Sequence, residues 1–154
     1  MDVDVELPEV SRKEIAEALG RLEADTFTLY LKTHYYHWNV TGPRFRELHL
    51  TFEEQYRDLW EATDEIAERI RALGFWAPGT LAEFARLTSV PDEEAIPGAE
   101  AMIEKLVEGH EAVLATAREV LGLAEPAADD ATVDLVTGRI ASHEKMAWML
   151  SASI

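Results

Sequence analysis

Four side chains in the middle of the chain have the types and spacing needed to hold a metal ion: His49, Glu53, Asp64 and Glu68. His49/Glu53 and Asp64/Glu68 are each i,i+4 pairs, so on a helix each pair converges on one point. Imidazole plus carboxylates suits iron, manganese or zinc, and a carboxylate-rich set with open positions suits iron redox chemistry. At a rise of about 1.5 Å per residue, His49 and Asp64 lie about 22 Å apart along a helix, so one copy cannot bring both pairs to one ion. A two-fold dimer can do so. Antiparallel packing of this helix on its own copy sets His49 and Glu53 of one subunit against Asp64 and Glu68 of the other, making two equal sites. Trp60 is placed to pack in the same interface. For any one of these acids alone, the competing reading is a solvated helix face, and Glu47, Glu54, Asp58, Glu61 and Glu65 take that reading.

The elements that position these residues follow from periodicity and punctuation. Ser11 and Glu14 have the spacing of a capping box, which predicts a first helix from Ser11 to about Asn39, with Ile15, Leu19, Leu22, Phe27, Leu29 and Leu31 among its apolar positions. Thr41-Gly42-Pro43 reads as a turn before a second helix from about Pro43 to Leu73, closed by Gly74. On that helix Leu48, Phe52, Leu59, Thr63, Ile66, Ile70 and Leu73 form the core face, and the four candidate ligands flank it within an arc of roughly 100°. A second capping box at Thr80–Glu83 predicts a short helix to about Leu87. Pro97 opens a third long helix to about Leu121, Glu125–Asp130 is a linker, and the last helix runs from about Ala131 to near the C-terminus. No hairpin signal, repeat or domain boundary interrupts this pattern. The expected architecture is all-α: one domain over residues 1–154, four long helices and a short one in the middle connection, preceded by a short acidic segment at residues 1–10.

The remaining candidates have plainer readings available. His34 and His37, i,i+3 near the end of the first helix, read more readily as core or capping residues than as ligands. His110 and His143 have acidic sequence neighbours and are expected at a surface or interface. Trp38, Trp76 and Trp148 are most simply packing residues, and Asp129, Asp130 and Asp134 cap the last helix and favour its dipole.

Composition narrows the partners. The 154 residues carry 30 acids against 14 bases, a formal charge of −16, with no cysteine. A thiol nucleophile, a disulfide scaffold and cysteine-ligated metal sites are excluded. The apolar content of 47% is ample for one packed core. No apolar run approaches the roughly 20 residues of a membrane span, and the N-terminus lacks the pattern of a secretory signal, so a cytoplasmic location is expected. Nucleic-acid affinity comes mainly from bases neutralising phosphates, which this chain lacks in number. Only Lys13, Lys32, Lys105 and Lys145 are lysines, a scarcity compatible with a saline-adapted surface.

The run Lys32-Thr33-His34-Tyr35-Tyr36-His37-Trp38-Asn39-Val40-Thr41-Gly42-Pro43, with Leu48-His49, Phe52-Glu53-Glu54-Gln55-Tyr56 and Asp64-Glu65-Ile66-Ala67-Glu68-Arg69, closely resembles the Dps family of bacterial mini-ferritins. The likeness covers essentially the whole chain, including the ending His143-Glu144-Lys145 to Trp148-Met149-Leu150. It implies a ferritin-like four-helix subunit assembled from two-fold dimers into a hollow homo-dodecamer. It also implies that ferrous iron is oxidised, usually by hydrogen peroxide in preference to oxygen, and stored as ferric mineral. Carried over by position, His37, His49 and Glu53 of one subunit and Asp64 and Glu68 of its partner form the ferroxidase centre, with Glu68 bridging. Many relatives carry aspartate at the position of Glu53, and its longer arm leaves direct and water-mediated contact both open. Asp129, Asp130 and Asp134 match aspartates lining a three-fold pore, where a local negative field would steer iron inward. Glu54 and Glu61 are candidates for facing the cavity and nucleating mineral, and Trp38 and Trp60 for absorbing stray oxidising equivalents.

One departure matters. Known members of the family bind DNA through a mobile lysine-rich tail, whereas the first ten residues here hold four acids and no base, and the C-terminus ends Ser151-Ala152-Ser153-Ile154. Twelve copies would carry a formal charge of about −190, and DNA binding is not expected. Two alternatives to a ferroxidase store stand beside it: a nucleoid protein that shields DNA, and a structural metal-binding helical oligomer without turnover.

Overall fold

The computed structural model describes residues 3–154, so Met1 and Asp2 of the acidic N-terminal segment lie outside the described residues. Five helices and no strand are found among them: α1 (Glu9–Asn39), α2 (Phe45–Ala72), α3 (Leu81–Leu87), α4 (Ala99–Ala124) and α5 (Asp130–Ser151). α1 packs on α2 and α4, and α5 packs on α4 and more lightly on α2, so two helical hairpins form the bundle. α3 lies across α1, where Phe84 stacks on Phe27 with centroids 4.7 Å apart.

The core is the apolar face that the periodicity marks. Ile15, Leu19, Leu22 and Leu29 of α1 and Leu48, Phe52, Leu59, Ile66 and Ile70 of α2 are all at or below 1% exposure. Leu31 is an exception at 44%, and Thr63 is only half-buried. α4 comes so close to α1 that a Cβ on Gly109 would stand 2.6 Å from Leu29 Cδ1.

The helix ends correct several sequence expectations. α1 begins two residues before Ser11, after an extended Pro8 whose carbonyl accepts Arg12 N–H at 3.0 Å, and no side chain caps it. Thr41–Arg44 is spent on the turn, with Gly42 at φ 112°, so α2 starts at Phe45 and not at Pro43. Its C-terminus is a Schellman motif, in which Phe75 N–H reaches Ile70 O, Gly74 N–H reaches Arg71 O, and Gly74 sits at φ 94°. The Thr80/Glu83 capping box forms as expected. α4 starts after Gly98 and runs to Ala124, and α5 starts at Asp130, capped by Asp129.

Buried Asp25 joins three segments. Its carboxylate accepts from Thr88 Oγ1 (3.0 Å), from Ser89 N (2.5 Å) and Oγ (2.8 Å), and from Thr116 Oγ1 (2.5 Å). This tethers the loop after α3 to both α1 and α4.

His110 and His143 are not surface residues; both are fully buried between α4 and α5. Their Nδ1 atoms are 2.9 Å apart, and Arg139 Nη2 lies 3.3 Å from His143 Nε2 and 2.8 Å from Asp58 Oδ2. Guanidinium only donates, so His143 Nε2 accepts, His143 Nδ1–H donates to His110 Nδ1, and the His110 proton sits on Nε2. That Nε2 has no protein partner. Burial holds both imidazoles neutral, pushing His110 down to about 4 and His143 well below the usual histidine range. Asp58, expected in water, is the counterion of this interior group.

Candidate metal centre

The turn at Val40–Arg44 reverses the chain, so the last turn of α1 lies beside the first turn of α2. His37 and His49 meet there, with rings stacked at 3.7 Å and 15°. His37 Nδ1 is 2.7 Å from the His49 carbonyl oxygen, and His49 Nδ1 is 2.7 Å from the His37 carbonyl oxygen. A carbonyl only accepts, so both Nδ1 atoms carry protons and both Nε2 atoms keep their lone pairs. Metal-ligating histidines are commonly oriented in this way, with one nitrogen tied to backbone and the other presented to the ion.

Glu53 lies one helical turn beyond His49 on the same face. Its carboxylate is approached by Tyr56 Oη and Arg57 Nη2, each at 3.5 Å, and its side chain is 36% exposed. The structure thus joins His37 to His49, and Glu53 shares the α2 face of His49.

Asp64 and Glu68 are exposed further along α2, and no side chain among the described residues hydrogen-bonds to either. The rise of α2 separates Asp64 from His49 by about 22 Å, and Glu68 by about 28 Å, within one chain. Among the described residues no three histidine, aspartate or glutamate side chains converge to hold a metal ion. One chain carries two separate groups of candidate ligands, His37 at the end of α1 with His49 and Glu53 of α2, and Asp64 with Glu68 further along α2.

The face between them is aromatic and open. Trp38 and Trp60 are 58% and 57% exposed, so in the single chain they are not core packing residues. Trp76 and Trp148 are likewise exposed, Trp76 lying under the Arg71 guanidinium at 4.0 Å. Next to His37, the His34 ring stacks on Tyr56 at 3.8 Å and its Nδ1 is 3.0 Å from Tyr30 Oη. Burial, followed by the neighbouring His37, lowers the pKa of His34. Tyr30 and Tyr56 were missed in the sequence reading. Tyr30/His34 and Tyr56/Trp60 are i,i+4 aromatic pairs, and that spacing was the available signal.

The three candidate pore aspartates separate. Asp129 is 3% exposed and turned inward, accepting from Thr132 N at 3.1 Å and pairing with Arg69 at 2.6 Å. It is the helix cap that the alternative reading anticipated. Asp130, on the first turn of α5, and Asp134, one turn further on, are exposed. Glu54 and Glu61 are also exposed. No helix among the described residues is long and apolar enough to cross a membrane.

A bundle of two helical hairpins with a short helix in the middle connection is the ferritin-like class of fold, and comparison with known proteins agrees. A ferritin-like domain model matches residues 16–154. A relative from Bacillus anthracis, DNA protection during starvation protein 2, is 36% identical over 91% of this chain and 96% of its own length. The crystal structure of a Dps protein from Vibrio cholerae, described as a member of the ferritin-like diiron-carboxylate superfamily, superposes with a TM-score of 0.92 at 32% identity, covering 99% of this chain and 96% of its own. DpsC from Streptomyces coelicolor superposes with a TM-score of 0.95 at 28% identity, covering 99% and 90%. The chain belongs to the ferritin-like proteins and, among them, to the Dps family.

Proposed function

We propose that this protein oxidises ferrous iron, with hydrogen peroxide as the preferred oxidant, and stores the ferric product inside a homo-dodecamer built from two-fold dimers. The observation that carries this reading is the pair of histidines locked to each other's backbone, with both Nε2 atoms free, one of which, His49, shares α2 with two carboxylates that neither can reach. Antiparallel pairing of α2 with its copy completes two centres, each with His37, His49 and Glu53 from one subunit and Asp64 and Glu68 from the other. Iron is the substrate. The carboxylates favour the ferric product, the imidazoles hold the ion in place, and an open position admits peroxide. Two ferrous ions deliver the two electrons that reduce peroxide to water. Exposed Asp130 and Asp134 are assigned to a pore that draws iron inward. The Dps relatives, one of them described as a ferritin-like diiron-carboxylate protein, support this reading through shared fold.

The test is anaerobic loading with ferrous salt followed by peroxide, with ferric absorbance recorded against time. The expected outcome is rapid oxidation by the wild type and loss of it in His49→Ala/Asp64→Ala; an unchanged rate in that variant would rule the centre out. Light scattering should give the mass of twelve chains, and a stable monomer or isolated dimer would contradict storage. The DNA-shielding alternative, which the names of several relatives suggest, is disfavoured by the charge of −16. A redox-inert structural ion would give metal binding without ferric formation.

A further inference from the structure

The candidate ligand Asp64 borders a cavity that the proposed oxidation centre does not account for. Its volume is about 610 Å³, and it lies where α1, α2 and α3 meet, with Trp60 and Phe84 on its walls. The charged residues lining it are Glu23, Glu61, Asp64 and Glu65, four acids with no base among them. Glu61, Asp64 and Glu65 are exposed, and water satisfies an exposed acid. Glu23 differs from them. It is 5% exposed, and its Oε2 has no hydrogen-bond partner.

The hairpin of α1 and α2 fixes the level at which Glu23 stands. Starting from the stacked rings of His37 and His49, Glu23 lies fourteen residues back along α1 and Asp64 fifteen residues on along α2. The two helices run antiparallel, so at a rise of about 1.5 Å per residue these steps are about 21 Å and about 22 Å in the same direction. Glu23 and Asp64 therefore stand at one level of the hairpin, at the opposite end of the α2 stripe from the two histidines.

A buried carboxylate is tolerated where it is paired or where it coordinates a metal. The charge that acts on Glu23 within this chain is that of another acid, Glu83, and burial together with that charge keeps a proton on it. A divalent cation in the cavity supplies the missing partner. No three acidic or histidine side chains converge among the described residues, so the ion keeps most of its water, as hard cations held by one or two carboxylates do. A set made of carboxylates and water suits manganese and its neighbour in the binding order, ferrous iron.

We propose that Glu23 and Asp64 hold a hydrated divalent cation in this cavity, ferrous iron when iron is supplied, as a waiting place beside the oxidation centre. The inference rests on the ferroxidase reading above, in which Asp64 meets the histidines of the other subunit. Asp64 is then common to both places, and an ion passes from Glu23 to the centre without leaving a carboxylate.

The experiment soaks crystals of the assembled protein anaerobically in manganous chloride and records anomalous difference maps, with calorimetric titration of the same ion in solution. The expected map has a peak between Glu23 and Asp64 besides the one at His37 and His49. In Glu23→Gln the first peak should disappear while the second stays, and the ions bound per chain should fall by one. In His37→Ala/His49→Ala the peak at Glu23 should stay while the other is lost. Glu23→Leu, which fills the same space without an oxygen, repeats the test if Glu23→Gln does not assemble, and the wild-type map decides where neither variant does. A peak beside Asp64 that is unchanged in Glu23→Gln overturns the inference. So does a wild-type map with manganese at the histidines and none at Glu23, and both results leave the ferroxidase reading standing. Manganese at Glu23 in protein that forms no ferric iron from ferrous salt and peroxide keeps the cation site and overturns the ferroxidase reading.

Discussion

His37 and His49 each donate from Nδ1 to the other's backbone carbonyl, both at 2.7 Å, across the turn that joins α1 to α2. Backbone therefore orients each ring without any metal, and the two rings also stack on each other at 3.7 Å. His37→Ala should lower iron affinity, through loss of a ligand and of the ring stacked on His49, while His49 keeps its carbonyl acceptor. The expected fall is at least about 10–100-fold, the range seen even for residues that only support a ligating histidine. Calorimetric titration with ferrous ion under anaerobic conditions would show this. A His37→Ala variant with wild-type affinity and wild-type stoichiometry would contradict the arrangement.

The buried histidine pair predicts acid lability. Both imidazoles are neutral in the folded protein, with His110 pushed down to about 4 by burial and His143 also lowered, whereas the unfolded chain takes up protons near 6.5. Below about pH 6.5 the unfolded state binds more protons, so stability falls as the pH drops towards 4. For His110 alone the linkage amounts to about 3 kcal/mol. Urea midpoints between pH 7 and pH 4 should decline steeply in the wild type and less in His110→Leu/His143→Leu.

Glu23 predicts the opposite trend at higher pH. Its carboxyl is 5% exposed with Oε2 unpartnered, and burial, reinforced by the nearby Glu83 charge, pushes it up to about 8. The folded state therefore binds a proton that the unfolded state has released above about pH 4.5, and stability is lost as the pH rises through 8. Glu23→Gln removes that dependence. It should stabilise the protein at pH 9 relative to pH 5 by on the order of 2 kcal/mol after allowance for solvent screening. Thermal unfolding at the two pH values measures the difference.

The Asp129 cap should be a sensitive position. Asp129→Ala removes the cap of α5 and leaves Arg69, whose side chain is 16% exposed, without its counterion. The expected loss is about 3 kcal/mol, combining a helix cap with a broken, largely buried pair. Arg69→Ala should cost a similar amount, and the double variant less than the sum, since the two share one interaction.

DNA binding should be absent. At a formal charge of −16 per chain, duplex mobility in a gel should be unchanged by the protein at about 0.15 M salt. Tight binding that weakens with salt would overturn this expectation.

How far the sequence could be read differs from residue to residue. The stripe on α2 was legible because a 28-residue amphipathic helix repeats its signal many times. The contact between His37 and His49 was not, because it depends on how the Gly42 turn aims α1 at α2. His110 and His143 were misplaced by their acidic neighbours: Glu108, Glu111 and Glu144 are all exposed, pointing away from the buried imidazoles. Adjacent residues on a helix face different directions, so neighbours in sequence say little about burial. Ser11 and Glu14 had the right spacing for a cap, but Pro8 lies upstream in an extended conformation and the helix starts there instead.

The Arg69–Asp129 pair ties together two regions that chain position would separate. Arg69 directly follows Glu68, and Asp129 directly precedes Asp130, so a 2.6 Å contact acts as a strut between the proposed oxidation centre and the proposed pore. Both places are mounted on the same girder, and neither can drift without the other. A subunit braced in this way holds the proposed inlet and the proposed oxidation centre in fixed register, so that uptake and oxidation would need no moving part between them.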